Sequence, residues 1–207
     1  MNNRGSTGIA APLILLSVML IAITAASVLT EETTSAPTDE DYEQMVEDAV
    51  NEISRYILVK EQIGKYSSIE GEQKIQKIVL WLTPLVSQDI DFSQMTIELI
   101  NGESLMTLTY LGNSNPRENC NIFEHSIWDN LDGTNFALIS IVDLDNSIVD
   151  YNTFNDASDN AYLVFKLPND MAMNKYENMV VKLFPSSGVT RSIYIKAPIP
   201  INSVVTL

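Results

Sequence analysis

The chain has 207 residues, 45% of them hydrophobic, and sets 27 Asp and Glu against 12 Lys and Arg for a formal net charge of −15. So acidic a chain repels phosphate backbones and anionic headgroups, which makes nucleic acid and anionic lipid poor partners. Its one cysteine, Cys120, excludes an intramolecular disulfide and a cysteine-based metal site.

The first element is the apolar run Ser6 to Leu29, STGIAAPLILLSVMLIAITAASVL, within a stretch that has no charged side chain between Arg4 and Glu31. A bilayer core needs roughly 20 helical residues at about 1.5 Å each, so this run is long enough to cross one. Helix is the single-segment structure that satisfies its own backbone there. Three fates are open to it. A discarded secretory signal would have an apolar stretch of roughly 7–15 residues and a small-residue cleavage site, here Thr24-Ala25-Ala26 before Ser27. A plain anchor would leave the N-terminus inside, on the side of Arg4, and the rest of the chain outside. The third fate is a helix passed from the membrane into a polymer. Gly8, Ala10, Ala11, Ala22, Ala25 and Ala26 are small, and Ala22 and Ala26 stand on one face, where helix backbones can approach closely. Leu13 to Ile23 is apolar all round, as in a helix buried on every side.

Glu31 to Asp39 is a polar break, and Thr38 is placed to cap a helix whose first turn carries Asp39, Glu40 and Asp41. Tyr42, Met45, Val46, Ala49, Ile53, Tyr56 and Ile57 recur at helical spacing and read as an amphipathic surface helix or as a continuation of the N-terminal one. Beyond it the pattern turns to strands: Tyr56–Tyr66, Lys77–Val86, Met95–Ile100, Ser104–Leu111, Phe136–Val142, Ala161–Leu167, Asn178–Phe184 and Arg191–Lys196. Asn101-Gly102 reads as a hairpin turn, and residues 113–135 read as an Asn/Asp-rich loop round Phe123 and Trp128. About eight short strands without helices between them indicate a β-sandwich.

Chemistry-bearing motifs are few. His125 is the sole histidine, beside Glu124, and reads as a solvated loop residue. No Gly-x-Ser-x-Gly, His-Glu-x-x-His or glycine-rich phosphate loop occurs. Asp143, Asp145, Asn146 and Asp150 alternate oxygens in the manner a hard cation such as Ca²⁺ uses, with Asn155, Asp156 and Asp159 following. The glycine and glutamate of an EF-hand loop are missing, and Asx turns on a solvated strand end are the alternative.

Arg4-Gly5-Ser6-Thr7-Gly8-Ile9, running straight into the apolar stretch that ends Ala25-Ala26-Ser27-Val28-Leu29, resembles the N-terminus of archaellins, the archaeal flagellins. Ile90-Asp91-Phe92-Ser93 and Asp143-Leu144-Asp145-Asn146-Ser147 are similar to two further stretches of that family. The resemblance implies an α+β chain, a long hydrophobic N-terminal helix followed by an immunoglobulin-like β-sandwich. It divides the chain into a leader at 1–5, the helix and its extension at 6–56, and an outer domain at 57–207. A prepilin-peptidase-like enzyme would cut between Gly5 and Ser6, with Arg4, Gly5, Ser6 and Gly8 as the processing residues. Ile9, Leu13, Leu16, Leu20, Ala22 and Ala26 would then be assembly positions in a homo-oligomeric helical filament. The implied product is a motility filament at the cell surface with no active site, its precursor held in the cytoplasmic membrane. An archaeal adhesion pilin, a stator-type protein of the same machinery and a membrane-tethered binding domain are the alternatives.

Overall fold

The computed structural model describes residues 56–207, except 103, 113, 187 and 188, together with Met19, Met45, Val46, Asp48 and Ala49. The chain divides into two compact units, Met1–Met45 and Val46–Leu207, and the fold below is that of the second. The predicted membrane-crossing run 6–29 lies outside the described residues, apart from Met19. Among the described residues no helix is long and apolar enough to cross a membrane.

Among the described residues twelve strands follow in order: β1 Ile57–Ile69, β2 Glu72–Pro84, β3 Ile90–Asp91, β4 Thr96–Ile100, β5 Leu105–Tyr110, β6 Asn115–Pro116, β7 Asn135–Val142, β8 Thr153–Phe154, β9 Asn160–Lys166, β10 Asn178–Phe184, β11 Arg191–Lys196 and β12 Val204–Thr206. β1 and β2 form a long hairpin in which Ile69 pairs with Glu72. Glu70 and Gly71, the two residues between, both have positive φ (54° and 86°), as a tight twisted turn requires. Sequence patterning ends β1 early because Ser67 and Ser68 read as punctuation. The strand continues through them, and Tyr66 and Ile69 on either side are both buried. Asn101-Gly102 does turn the chain between β4 and β5, but within a four-residue loop: Ile100 pairs with Leu105, and the Asn101 amide oxygen accepts from the Ser104 N–H at 2.9 Å.

Ten strands share one hydrogen-bonded sheet in the order β11-β10-β4-β5-β7-β9-β2-β1-β12, with β6 beside β7; β3 and β8 pair separately. Neighbours are antiparallel except β5–β7 and β6–β7. The domain is β-sandwich-like, as expected. Its two halves, which could have been separate sheets, are joined into one hydrogen-bonded sheet at the short parallel β5–β7 pairing, and the sheet curls round its core. Strands from across the whole order feed one apolar cluster: Ile193 and Ile195 of β11, Val181 of β10, Leu99 of β4, Phe136 of β7, Leu163 and Phe165 of β9, Leu80 of β2 and Tyr66 of β1. Polar contacts close the seam. Arg191 on β11 donates to the Tyr56 hydroxyl just before β1, and the Tyr66 hydroxyl donates to the Pro198 carbonyl just after β11.

A second apolar cluster lies on the opposite face of the same sheet, where Val79, Ala137, Ile139 and Val164 meet Phe123, Ile127, Trp128 and Leu131. The segment read as an Asn/Asp-rich loop round Phe123 and Trp128 is therefore a lid. It folds through two 3₁₀ turns, Ile122–Glu124 and Ser126–Asn130, and buries its aromatic side chains on β2, β9 and β7.

The two faces predict opposite responses to the same substitution. Leu163→Ala, fully buried on β9, is expected to destabilise by about 2–5 kcal/mol. Leu105→Ala, 64% exposed on β5, should stay within about 0.5 kcal/mol of the parent. Denaturant midpoints of the two variants against the parent chain check both.

Candidate functional site

Among the described residues, three carboxylates converge in the loops that follow β7 and precede β9. Because these strands pair with Val142 opposite Asn160, Asp143 just after β7 comes abreast of Asp159 just before β9. One carboxylate oxygen each from Asp143, Asp145 and Asp159 lies within 4.8 Å of the others. Of the four residues that the sequence suggested for Ca²⁺, two therefore meet, and Asp159 joins them in place of Asp150. Asn146 instead precedes the short helix Ser147–Tyr151 with a left-handed backbone and no side-chain cap bond, and Asp150 lies in that helix's first turn. Asp159 already follows these residues in the acidic stretch of the sequence; that it closes on Asp143 comes from strand pairing, which spacing along the chain does not display.

A spacing of this order fits one hard cation, but each carboxylate already accepts hydrogen bonds within the loops. Asp143 accepts from the Val149 N–H at 3.1 Å. Asp145 accepts from the Ser147 N–H at 3.0 Å and the Asn155 amide at 2.6 Å. Asp159, 1% exposed, accepts from the N–H groups of Asn155 at 2.9 Å and Asp156 at 3.0 Å. Burial pushes the Asp159 carboxyl above its ordinary range, and the charges of Asp143 and Asp145 push the same way. The Asn155 amide and the Ser147 N–H hold Asp145 below its ordinary range. The cluster thus works as a set of turn caps that fixes the loop and presents its tip: Leu144, between two of the acids, is 84% exposed.

A half-buried polar node supports this loop from behind. The Asn152 amide oxygen accepts from the Tyr110 hydroxyl at 2.8 Å and the Ser114 N–H at 3.0 Å. Desolvation pushes the Tyr110 hydroxyl up to about 12, so it stays a neutral donor.

His125 is not the solvated loop residue expected. It is 3% exposed, its Nδ1 accepts from the Ile127 N–H at 3.1 Å, and its Nε2 meets the Pro116 carbonyl at 3.1 Å. Those two bonds require the neutral tautomer protonated on Nε2. Both nitrogens are thereby committed to holding the lid, and neither is available to a substrate. The processing residues Arg4, Gly5, Ser6 and Gly8, and the assembly positions Ile9, Leu13, Leu16, Leu20, Ala22 and Ala26, lie outside the described residues.

Comparison with known proteins places this geometry. The sequence profile of archaeal-type flagellin matches residues 5–195. Flagellin A2 of Haloferax volcanii is 26% identical over 157 residues, 75% of this chain and 68% of its own length. The crystal structure of archaeal flagellin FlaB1 from Methanocaldococcus jannaschii superposes with a TM-score of 0.62 at 20% identity, over 72% of this chain and 94% of that one. The archaeal flagellum of Methanospirillum hungatei is similar with a TM-score of 0.52 at 11% identity, over 97% of this chain and 99% of its own.

Two measurements test the roles given to these side chains. Because the Asp159 pKa is raised on folding, its stabilising contribution is full below the ordinary value of 3.8 and is lost as pH rises through the raised one. Asparagine can accept the same two N–H bonds without titrating. The stability of the parent relative to Asp159→Asn should therefore fall as pH rises through that window, read by denaturant unfolding at a series of pH values. For the lid, His125→Ala leaves the Ile127 N–H without its acceptor and should cost about 1–3 kcal/mol. His125→Asn, able to cap the same turn, should recover part of that loss. Trp128 fluorescence during unfolding, with Trp81→Phe as background, reports on this segment directly.

Proposed function

Because the chain belongs to the archaeal-type flagellin family, we propose that it is a structural subunit of the archaellum, polymerising in many copies into the filament that drives swimming. The observation that carries this reading is the extent of the match, residues 5–195, which takes in the apolar run and the β domain together. Cleavage between Gly5 and Ser6 by a prepilin-peptidase-like enzyme would keep the hydrophobic helix on the mature subunit. Arg4 and Gly8 flank the cut on either side. Before assembly the helix from Ser6 onward would hold the precursor in the cytoplasmic membrane.

In the filament, Ile9, Leu13, Leu16 and Leu20 would pack against neighbouring copies, with Ala22 and Ala26 allowing close backbone approach. The helix then leaves lipid rather than water, so moving apolar side chains contributes little by itself. Net stabilisation has to come from close packing and from contacts between the outer domains at 57–207. Those contacts must be heterologous, since symmetric ones close into dimers and stop growth. The chain does no chemistry in this role: its one histidine and its clustered aspartates are bonded to their own backbone.

Mass and N-terminal analysis of filaments sheared from cells tests the processing step. A mature chain starting at Ser6 is expected. A start at Ser27 would turn the run into a discarded signal and overturn the filament reading, and an intact Met1 confined to membranes would make the protein an anchored one.

A further inference from the structure

One buried side chain both shapes the lid and ties it to the sheet. His125 ends the first 3₁₀ turn and opens the second. Its Nδ1 accepts the Ile127 N–H at 3.1 Å, and its Nε2 meets the Pro116 carbonyl of β6 at 3.1 Å. The first of these bonds needs the lone pair on Nδ1. Protonation takes that lone pair and sets an N–H against an N–H, so the cap survives only on the neutral ring. An imidazolium needs an anion instead, and one is in place. Glu118 Oε1 stands 3.8 Å from Nε2, with its carboxylate held beside the second turn by the Ser126 N–H and hydroxyl. The ring therefore has one partner for each charge state: the Ile127 N–H when neutral, the Glu118 carboxylate when charged.

We propose that His125 is an acid-sensitive latch: its protonation exchanges the Ile127 N–H for the Glu118 carboxylate, undoes the second turn and lifts the lid from the sheet. The inference concerns the β domain and stands apart from the filament reading. Charges on the neighbouring elements favour release. On β2, the Lys77 ammonium lies over the Trp128 ring and reaches the Phe123 carbonyl. On β1, Lys65 lies over Phe123, and on β9 Lys166 stands opposite Lys77. Arg117 follows Pro116 in the chain. A further positive charge under the closed lid is repelled by these cations and is costly to bury. The acids Glu124 and Asp129 lie in the two turns themselves, and the Asp129 charge acts on Lys77. Glu118 is the carboxylate that meets the ring, and it is partly exposed, so the imidazolium gains water and an anion together by moving towards it. The two Trp128 bonds, to the His125 and Ile122 carbonyls, run within the lid and do not hold it on the sheet. The main core lies on the other face, so the lid can open while the strands stay folded. Opening uncovers Val79, Ala137, Ile139 and Val164 together with the lid's own Phe123, Ile127 and Trp128, an apolar contact face shown only in acid.

The test uses the full chain in a non-ionic detergent, with Trp81→Phe as background so that Trp128 is its one tryptophan. From about pH 8 to about pH 5, where imidazoles ordinarily titrate, the Trp128 emission maximum should move to longer wavelength and its quenching by iodide should rise. The β signal in far-UV circular dichroism should not change. Protection of the Ile127 amide against deuterium exchange, corrected for the intrinsic effect of pH, should fall by about tenfold or more over the same range. His125→Asn, able to cap the turn without titrating, should hold the emission maximum and the protection constant. Glu118→Gln, which still accepts from Ser126, should move the midpoint to lower pH. An emission maximum that stays put in the parent, or moves equally in His125→Asn, would overturn the latch. So would an unmoved midpoint in Glu118→Gln, or loss of the strand signal together with the lid. If His125→Asn is already open at pH 8, Ile127 protection in the parent decides: its fall supports the latch and its constancy overturns it.

Discussion

A single β-sheet has two faces, and this chain is long enough to bury one of them completely and the other only in part. The inner face is closed by curling. Apolar residues from β11 at one end and β1 at the other reach the same core, and the seam is held by Arg191 on Tyr56 and Tyr66 on the Pro198 carbonyl. Breaking that closure would expose residues such as Ile57, Tyr66, Ile193 and Ile195 together, each contributing about 1.5–3 kcal/mol of burial. The rest of the architecture follows from what curling leaves undone. β12 extends the order beyond β1, the lid covers the outer face of the central strands, and the outer face of β11, β10, β4 and β5 mixes exposed Tyr194 and Leu105 with the Lys182–Glu98 cross-strand pair.

The lid illustrates how a segment with no regular strand or long helix is nonetheless fixed. Its apolar contacts come from Phe123, Ile127, Trp128 and Leu131, but burial would be unfavourable if the polar groups of two 3₁₀ turns went unpaired. They do not. Asn121 caps the first turn through the Phe123 N–H at 3.0 Å, His125 caps the second, and the Trp128 indole donates to the Ile122 carbonyl at 2.8 Å. The strands beneath contribute cations. Lys65 lies opposite Lys77, and Lys77 opposite Lys166, a cross-strand row of like charges that is unfavourable by itself. Burial lowers the Lys77 pKa, and its two neighbours lower it further. The faces of Phe123 and Trp128 offset this repulsion, with the Lys65 ammonium 5.7 Å from the one ring centroid and that of Lys77 4.7 Å from the other.

Strand identity was legible in the sequence because it depends on local alternation. Asn178–Phe184 and Arg191–Lys196 stand as patterned, and the other long strands shift by a few residues at their ends. What alternation along one strand cannot display is the pairing between strands. It reveals neither the parallel β5–β7 step that makes one sheet of what might have been two, nor the register that carries Asp159 to Asp143. The short strands β3, β6, β8 and β12 escaped notice because two or three residues hold no period. His125 was misread for a related reason. A polar residue in a polar stretch gives no sign of burial unless its partners are known, and those partners, the Ile127 N–H and the Pro116 carbonyl, belong to the backbone, which carries no sequence signal.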